Sequence, residues 1–578
     1  MLLAPGSNLL GVPTLFWFIL SLVFSIGFAL PALKASFASN YLIMDDARQH
    51  LFWMQRFVDP ELFPDDLIAD FYQSITSPGV IATYWLMNQL GLEPIMSSKV
   101  LPMILGLIAT VYCFGIGLEL LPIPLMGFIG SLLLNQNLWL QGELVTATST
   151  AFLYPTFLAF LYYLLRRSEV GVAISLVLTG LFYAPMLLIA AGILGLGLLD
   201  WPDPEVGPKD SPLGQKSSQP FRPLRLSANP EDYRLLAIGL AITLGIIWLY
   251  GGQSGEFGPT ATAAEARTMP EFLDQGRTAF FYQNSFWNFW LKNSRSGIKL
   301  SLNPPIVILG FLLPIILRFP QRFPLATKVR RLGILLRLLV SSFSLFFLAH
   351  AVLFKLYLPS RYTSHSLRIV MAIATAMVLV VALDGIFKAW GKFSPVPWVT
   401  TVGLIILLVC YPKLAWKDAF PRSKYLVGAE SGIYLFLQNQ PKASLVASLA
   451  VEADNLPAFA QRSVLVSWEH AIPYKMGYYR QIRQRARDLI QAHYSPDPQV
   501  IRWFIDTYGV DFFVLERDAF ELEYMTENSW FLQWQDLAET TAQQLEQAPP
   551  FLLQKMNSCT SFATPNLVVL EAQCLTRE

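Results

Sequence analysis

Charge is scarce in this chain: Asp, Glu, Lys and Arg make up 14% of its 578 residues, against 54% hydrophobic. A chain so apolar and so long does not fit a single soluble core, so a polytopic membrane protein with a soluble part is expected. The signs nearly cancel, at net charge +1, and no overall field draws the chain to nucleic acid, which is excluded as a partner. Cysteine is rarer still, with four. Cys113 and Cys410 lie inside apolar runs and read as small packing residues. Cys559 and Cys574, in the polar C-terminal part, are left as a candidate disulfide if that part lies outside the cytoplasm. No Lys or Arg precedes the first apolar run, 14–33, and the residues after it make a poor cleavage site. The run therefore reads as a retained anchor, about 20 residues long. No internal repeat of fixed period is evident, and the C-terminal part has no zinc pattern, nucleophile–base spacing or Gly-rich phosphate loop.

What the chain does have is apolar length. Further candidate spans are 100–121, 123–140, 150–165, 235–250, 306–317, 334–353, 367–387 and 396–411, and the run 170–199 reads as two short antiparallel helices turning near Tyr183. The segment 80–92, broken by Asn88, Gln89 and Gly91, stays at the interface. Basic groups at Arg166–Arg167, in 209–234, in 318–337 and at Lys388–Lys392 all become cytoplasmic if there are about 11 crossings with the N-terminus inside. The first outer loop (34–79), the turn after 141, the loops 251–303 and 354–366, and everything after 411 then share the extracytoplasmic face. The Pro- and Ser-rich stretch 201–232 reads as a disordered cytoplasmic loop. The membrane domain covers 1–423. Residues 424–578 turn soluble and read as an extracytoplasmic α/β domain with an accessory role.

Chemistry concentrates in the outer loop, over 40–72. The pattern predicts two short helices lying along the membrane surface, the first capped by Asp45 or Asp46 and burying Ala47, Leu51, Met54 and Phe57, the second capped by Asp65 or Asp66. A carboxylate here suits a general base toward an acceptor hydroxyl, or a ligand for a divalent cation such as Mg or Mn at Asp45/Asp46; helix capping is the plain alternative. Arg48 and His50 sit beside them, His50 on the apolar helix face where a packed imidazole is the commoner outcome. Glu143 follows a span, where an ionisable group is costly unless used or paired. Lys355, Arg361, His365 and Arg368, with Tyr362 among them, put four positive or potentially positive groups in an outer loop against the positive-inside trend, and suit a lipid phosphate at headgroup level, snorkelling to anionic headgroups or pairing with the acidic first loop. The aromatics Phe280, Phe281, Tyr282, Trp287, Phe289 and Trp290 read as an interfacial belt.

One N-terminal span, a long acidic first outer loop (Asp45-Asp46), a further acidic residue after a later span (Glu143) and a double-arginine turn into a short helical hairpin (Arg166-Arg167 onward) resemble the membrane-embedded GT-C glycosyltransferases, which include protein mannosyltransferases, aminoarabinose transferases and oligosaccharyltransferases. The resemblance implies a polyprenyl-phosphate sugar donor, an active site at the outer face of the bilayer and an inverting transfer. Asp45 or Asp46 would be the base, Glu143 the second acidic position, and Arg361 with His365 candidates for the donor phosphate. A bacterial plasma membrane is the expected location. A transporter or flippase of lipid-linked saccharide and a non-catalytic membrane scaffold are the alternatives.

Overall fold

The computed structural model describes residues 13–199, 226–253, 255, 257–281, 285–391, 393–416 and 425–577. The chain enters through α1 (Thr14–Ser36), then runs through β1 (Leu42–Met44), α2 (Asp45–Leu51), α3 (Leu67–Ile75) and α4 (Pro78–Gln89). The long helices α5 (Pro94–Leu120), α6 (Pro124–Gln141) and α7 (Ser149–Leu165) follow. A hairpin of α8 (Glu169–Phe182) and α9 (Ala184–Gly197) comes next, with Tyr183 as the one residue between them, where the sequence placed the turn. Then come α10 (Pro230–Gln253), α11 (Ala263–Thr268), a 3₁₀ turn into α12 (Leu313–Ile316), α13 (Gly333–Ala351), α14 (Ser360–Trp390) and α15 (Pro395–Trp416). The expected loop 201–232 lies outside the described residues as far as 225, and its last residues are the start of α10.

Six helices, α1, α5, α10, α13, α14 and α15, are long and apolar enough to cross a bilayer. Helices α7, α8 and α9 and the segment around α12 are apolar but shorter. In α14 the apolar window is 83% buried, against 22% in α10 and α15, so α14 is the central helix and the other two turn their side chains outward. Cys410 on α15 is exposed and does not pack as expected, whereas Cys113 is buried.

Helix direction separates two ends of the bundle. At one end Arg331 meets Glu119 at 3.0 Å, and Arg167 meets Glu231 and Asp232 at 3.2 and 3.0 Å. Helix α6 rises from this end, and 18 residues carry it roughly 27 Å away. There Gly142, at φ 69°, ends the helix in the left-handed conformation and Glu143 follows.

The remainder of the chain packs on that second end. It comprises β2 (Tyr425–Val427), α16 (Ser431–Gln438), β3 (Leu445–Ala447), α17 (Leu456–Phe459), β4 (Ser463–Val464), α18 (Met476–Tyr494), α19 (Pro498–Tyr508), β5 (Phe512–Glu516), β6 (Thr560–Ala563) and β7 (Leu567–Glu571). The sheet order is β4-β3-β5-β7-β6, with β3 parallel to β4 and β5, and β7 antiparallel to β5 and β6. Gly509, at φ 67°, ends α19 and turns the chain into β5. Helices over Gln535–Gln547 and Phe551–Cys559 were not foreseen from the sequence. A disulfide joins Cys559 to Cys574. Strand β1 of the first outer loop pairs antiparallel with β2, so the loop and the C-terminal domain are tied at the backbone.

Candidate active site

Helix α2 begins at Asp45, and its N-cap is Met44, whose Sδ accepts the Asp46 N–H at 3.1 Å. The two aspartates therefore occupy the first turn, not the expected cap, where their charge complements the helix dipole. Asp66 does cap α3, accepting from the N–H groups of Ile68 and Ala69 at 2.8 and 2.9 Å, while Asp65 holds the preceding turn at φ 49°. Both segments lie under the C-terminal domain instead of freely along a membrane surface. The Phe71 ring stacks on Tyr478 at 3.7 Å, and Gln49 donates to the Tyr72 hydroxyl and to the Glu469 carbonyl. Of the expected apolar face, Ala47, Leu51 and Met54 are buried and Phe57 is half-buried.

The two neighbouring acids have different surroundings. Asp45 is ion-paired to Arg48 at 2.9 Å, one helical turn on. Arg48, 6% exposed, also donates to Asn455 Oδ1 at 2.7 Å and lies 3.9 Å from Glu469, so both of its terminal nitrogens face protein partners. Asp46 is exposed, and among the described residues its side chain has no ion pair or hydrogen bond. His50 is half-buried with its ring edge-on to Tyr72. Burial lowers its pKa, Asp46 opposes this, and Arg361 and Arg277 push it further down, so the imidazole is neutral at pH 7.

Arg361, His365 and Arg368 recur at i, i+4 and i+7 in the first turns of α14 and share one face of it. Glu143 meets this face. Its Oε1 lies 2.7 Å from Arg368, and its Oε2 3.9 Å from His365 Nδ1. Arg368 also donates to the Tyr154 hydroxyl at 2.8 Å, which lies 2.8 Å from His365 Nδ1. Burial raises the Glu143 pKa, yet Arg368, His365 and Lys299 outweigh it and hold the carboxyl at about 2. Tyr362 points elsewhere, its hydroxyl donating to the Leu356 carbonyl at 2.8 Å. Arg361 differs in having no ion pair among the described residues; its Nε, like that of Arg368, is buried without a hydrogen-bond partner, and it interacts electrostatically with Asp46, Glu143, Tyr183 and Tyr357. The residue as a whole is half-buried, so its guanidinium remains partly open to whatever enters beside Asp46 and Glu143.

Residues that the sequence did not single out complete the site. Tyr154 and Lys299 face Glu143. Arg277, from the outer loop, donates to the carbonyls of Trp468 and Glu469 at 2.7 Å and pairs with the Glu469 carboxylate at 2.7 Å. Burial pushes the Glu469 pKa up to about 7; Arg277 opposes this, while Asp45 and Asp454 add to it. Glu271 of the same loop is fully buried and accepts from Tyr479, Arg483 and Trp534 of the C-terminal domain. The C-terminal domain therefore packs against the segments that carry Asp45, Arg48, Glu271 and Arg277. In the aromatic loop Phe280 is buried, Trp290 packs on His350, Trp287 is exposed, and Tyr282 lies outside the described residues.

The expected divalent cation finds a poor donor set. Among the described residues no three His, Cys, Asp or Glu side chains are grouped so as to hold a metal ion, and Asp45 is already paired with Arg48.

No family model matches the chain, and no curated protein matches it in sequence. Solved structures do. The archaeal oligosaccharyltransferase AglB from Archaeoglobus fulgidus, in complex with an inhibitory peptide and a dolichol-phosphate, is similar over 91% of this chain and 72% of its own, at 13% identity and a TM-score of 0.51. The apo form of the Archaeoglobus fulgidus enzyme gives 12% identity, the same coverage and a TM-score of 0.50. ArnT from Cupriavidus metallidurans is 12% identical over 95% of this chain and 97% of its own, with a TM-score of 0.44. The chain thus has the fold of the GT-C membrane glycosyltransferases.

Proposed function

We propose that this protein is a membrane glycosyltransferase that moves a sugar from a polyprenyl-phosphate-linked donor to a hydroxyl of a lipid, glycan or protein acceptor at the outer face of a bacterial plasma membrane. One observation carries the reading: an exposed carboxylate without an ion pair, Asp46, lies within electrostatic reach of Arg361, a guanidinium that has no ion pair among the described residues. Asp46 takes the proton of the acceptor hydroxyl as its oxygen attacks the anomeric carbon. The bond from that carbon to the phosphate oxygen breaks with inversion, and Arg361 stabilises the departing phosphate. Asp45, neutralised by Arg48, positions the helix. Glu143, paired to Arg368, is too weak a base and orders the α14 face instead. An extracytoplasmic site is supported by the disulfide in the domain that covers it and by the basic groups at the opposite end of the bundle.

The test is sugar transfer by the purified protein in lipid, given pooled polyprenyl-phosphate sugars and membrane extract. Asp46→Asn should lower the rate by about 10²–10⁴-fold, with Asp45→Asn retaining more activity. Equal, small effects of both would refute the assignment of the base. Movement of lipid-linked sugar across the bilayer, with no transfer by wild type, would replace the enzyme with a transporter.

A further inference from the structure

Two tyrosines beside Arg361 have no structural task that accounts for them. Tyr183, the single residue between α8 and α9, has a buried hydroxyl with no hydrogen-bond partner. Its ring stands edge-on to His365 at 5.8 Å, and its electrostatic neighbours are Arg361, Tyr357, Glu143 and Tyr362. Leaving such a hydroxyl unpaired in the interior costs stability, whereas Phe would fill the same space without that cost. Tyr357 sits in the tight turn 354–357 that leads into α14, closed by its N–H donating to the Phe354 carbonyl. Its backbone is left-handed, at φ 64°, which an aromatic residue adopts only under strain. Its side chain is nevertheless 45% exposed and touches Tyr474 only at a ring distance of 6.2 Å. Burial does not explain the one, nor packing the other.

We propose that Tyr183 and Tyr357 form the sugar-recognition subsite of the donor site, the Tyr183 hydroxyl bonding a ring hydroxyl and the Tyr357 ring lying against the apolar face of the sugar, next to the phosphate held by Arg361. The assignment rests on the donor reading above. Its chemistry is complementary within the subsite: aromatic rings match the C–H face of a pyranose or furanose, and a buried donor without a partner discriminates strongly for a ligand that supplies one.

The experiment compares two probes on the full-length protein in lipid nanodiscs: bare polyprenyl phosphate, and a panel of polyprenyl-phosphate hexoses and pentoses. Wild type should prefer at least one sugar-bearing lipid over the bare one. Tyr183→Phe and Tyr357→Gly should each lose that preference by roughly tenfold, with the affinity for bare polyprenyl phosphate unchanged. Both variants should melt no lower than wild type, because one removes an unpaired hydroxyl and the other relieves the left-handed turn. A merely structural role predicts the reverse, lower melting with the sugar preference intact, and that result overturns the proposal. Arg361→Gln serves as the reference, weakening both probes together. If Arg361→Gln affects neither probe, the donor reading falls and the subsite with it. If it weakens both while the tyrosine variants keep their sugar preference, the donor reading stands and the subsite alone is refuted.

Discussion

Removing the Glu143 carboxylate should cost stability on a scale that surface ion pairs do not reach. The carboxylate lies 2.7 Å from an arginine that is 2% exposed. At an effective dielectric of about 20, Coulomb attraction at that distance is about 6 kcal/mol before desolvation is subtracted. The pKa gives a second measure. The carboxyl titrates at about 2 instead of the ordinary 4.5, a difference worth about 3 kcal/mol. Breaking a buried pair from one side costs about 3–5 kcal/mol, because the other charge is left behind. Glu143→Gln should therefore lose about 3 kcal/mol, at the low end because its amide oxygen still accepts from Arg368 and Tyr154 keeps its own bond to that guanidinium. Denaturant or SDS unfolding at pH 7 measures the loss. Because folding depresses this pKa, its contribution is present above pH 4.5 and is lost as pH falls through about 2. The gap between wild type and variant should accordingly persist at pH 5 and close only in stronger acid. Glu143→Leu with Arg368→Met should recover much of the stability without recovering activity. A loss under about 1 kcal/mol for Glu143→Gln, the range of exposed pairs, would refute the buried-pair account.

Three other perturbations follow from the same reasoning. Glu271→Ala leaves Arg483 and the Tyr479 hydroxyl without their buried acceptor, so the outer loop and the C-terminal domain should part more readily, at about 3–5 kcal/mol, read as faster proteolysis within 257–281. Replacing Cys559 and Cys574 by Ser removes a bridge spanning 15 residues, and should cost about 3 kcal/mol in the chain-entropy model, measured by unfolding with and without reductant; an unchanged midpoint would contradict it. Glu469 titrates at about 7 when folded, above its ordinary 4.5, so the folded state holds the proton more tightly and the stability this contributes is lost as pH rises through 7. Wild type should lose stability relative to Glu469→Gln between pH 5 and pH 8, and parallel profiles would show that Glu469 does not titrate there.

How much of this was readable in the sequence depended on the range of the interaction. The hairpin around Tyr183 is a local pattern, of apolar length broken at one point, and it appears where the residues place it. The stripe Arg361, His365, Arg368 is equally local once the helix is granted, although the sequence put those residues in a loop and not inside α14. Misplacing them had a physical reason: three basic or imidazole side chains lower the apparent hydropathy of a segment, and only a buried partner such as Glu143, 218 to 225 positions away in sequence, makes a helix there tolerable. The roles of Arg277, Glu469 and Asn455 depend wholly on contacts between segments far apart in the chain, and no spacing announces them.

The distinction between Asp45 and Asp46 shows why that long-range layer matters to function. Within the sequence the two carboxylates are equivalent, adjacent and equally acidic. Arg48 breaks the tie, because one helical turn brings it to Asp45 and not to Asp46. Arg48 is itself an exposed-loop arginine until the C-terminal domain covers it, where Asn455 fixes one nitrogen and Glu469 stands behind the other. Glu469 is in turn held by Arg277 from the outer loop. The contacts from Arg277 through Glu469 and Arg48 to Asp45 tie the pairing that α2 sets up to the C-terminal domain. Loosening it at Arg277 should release Arg48 to either aspartate, and the transfer rate should then fall without any change at Asp46 itself. Arg277→Gln tests this: a reduced rate with Asp46 intact, and a smaller difference between the Asp45→Asn and Asp46→Asn effects in that background, is the expected result, whereas an unchanged difference would mean that α2 holds its own geometry.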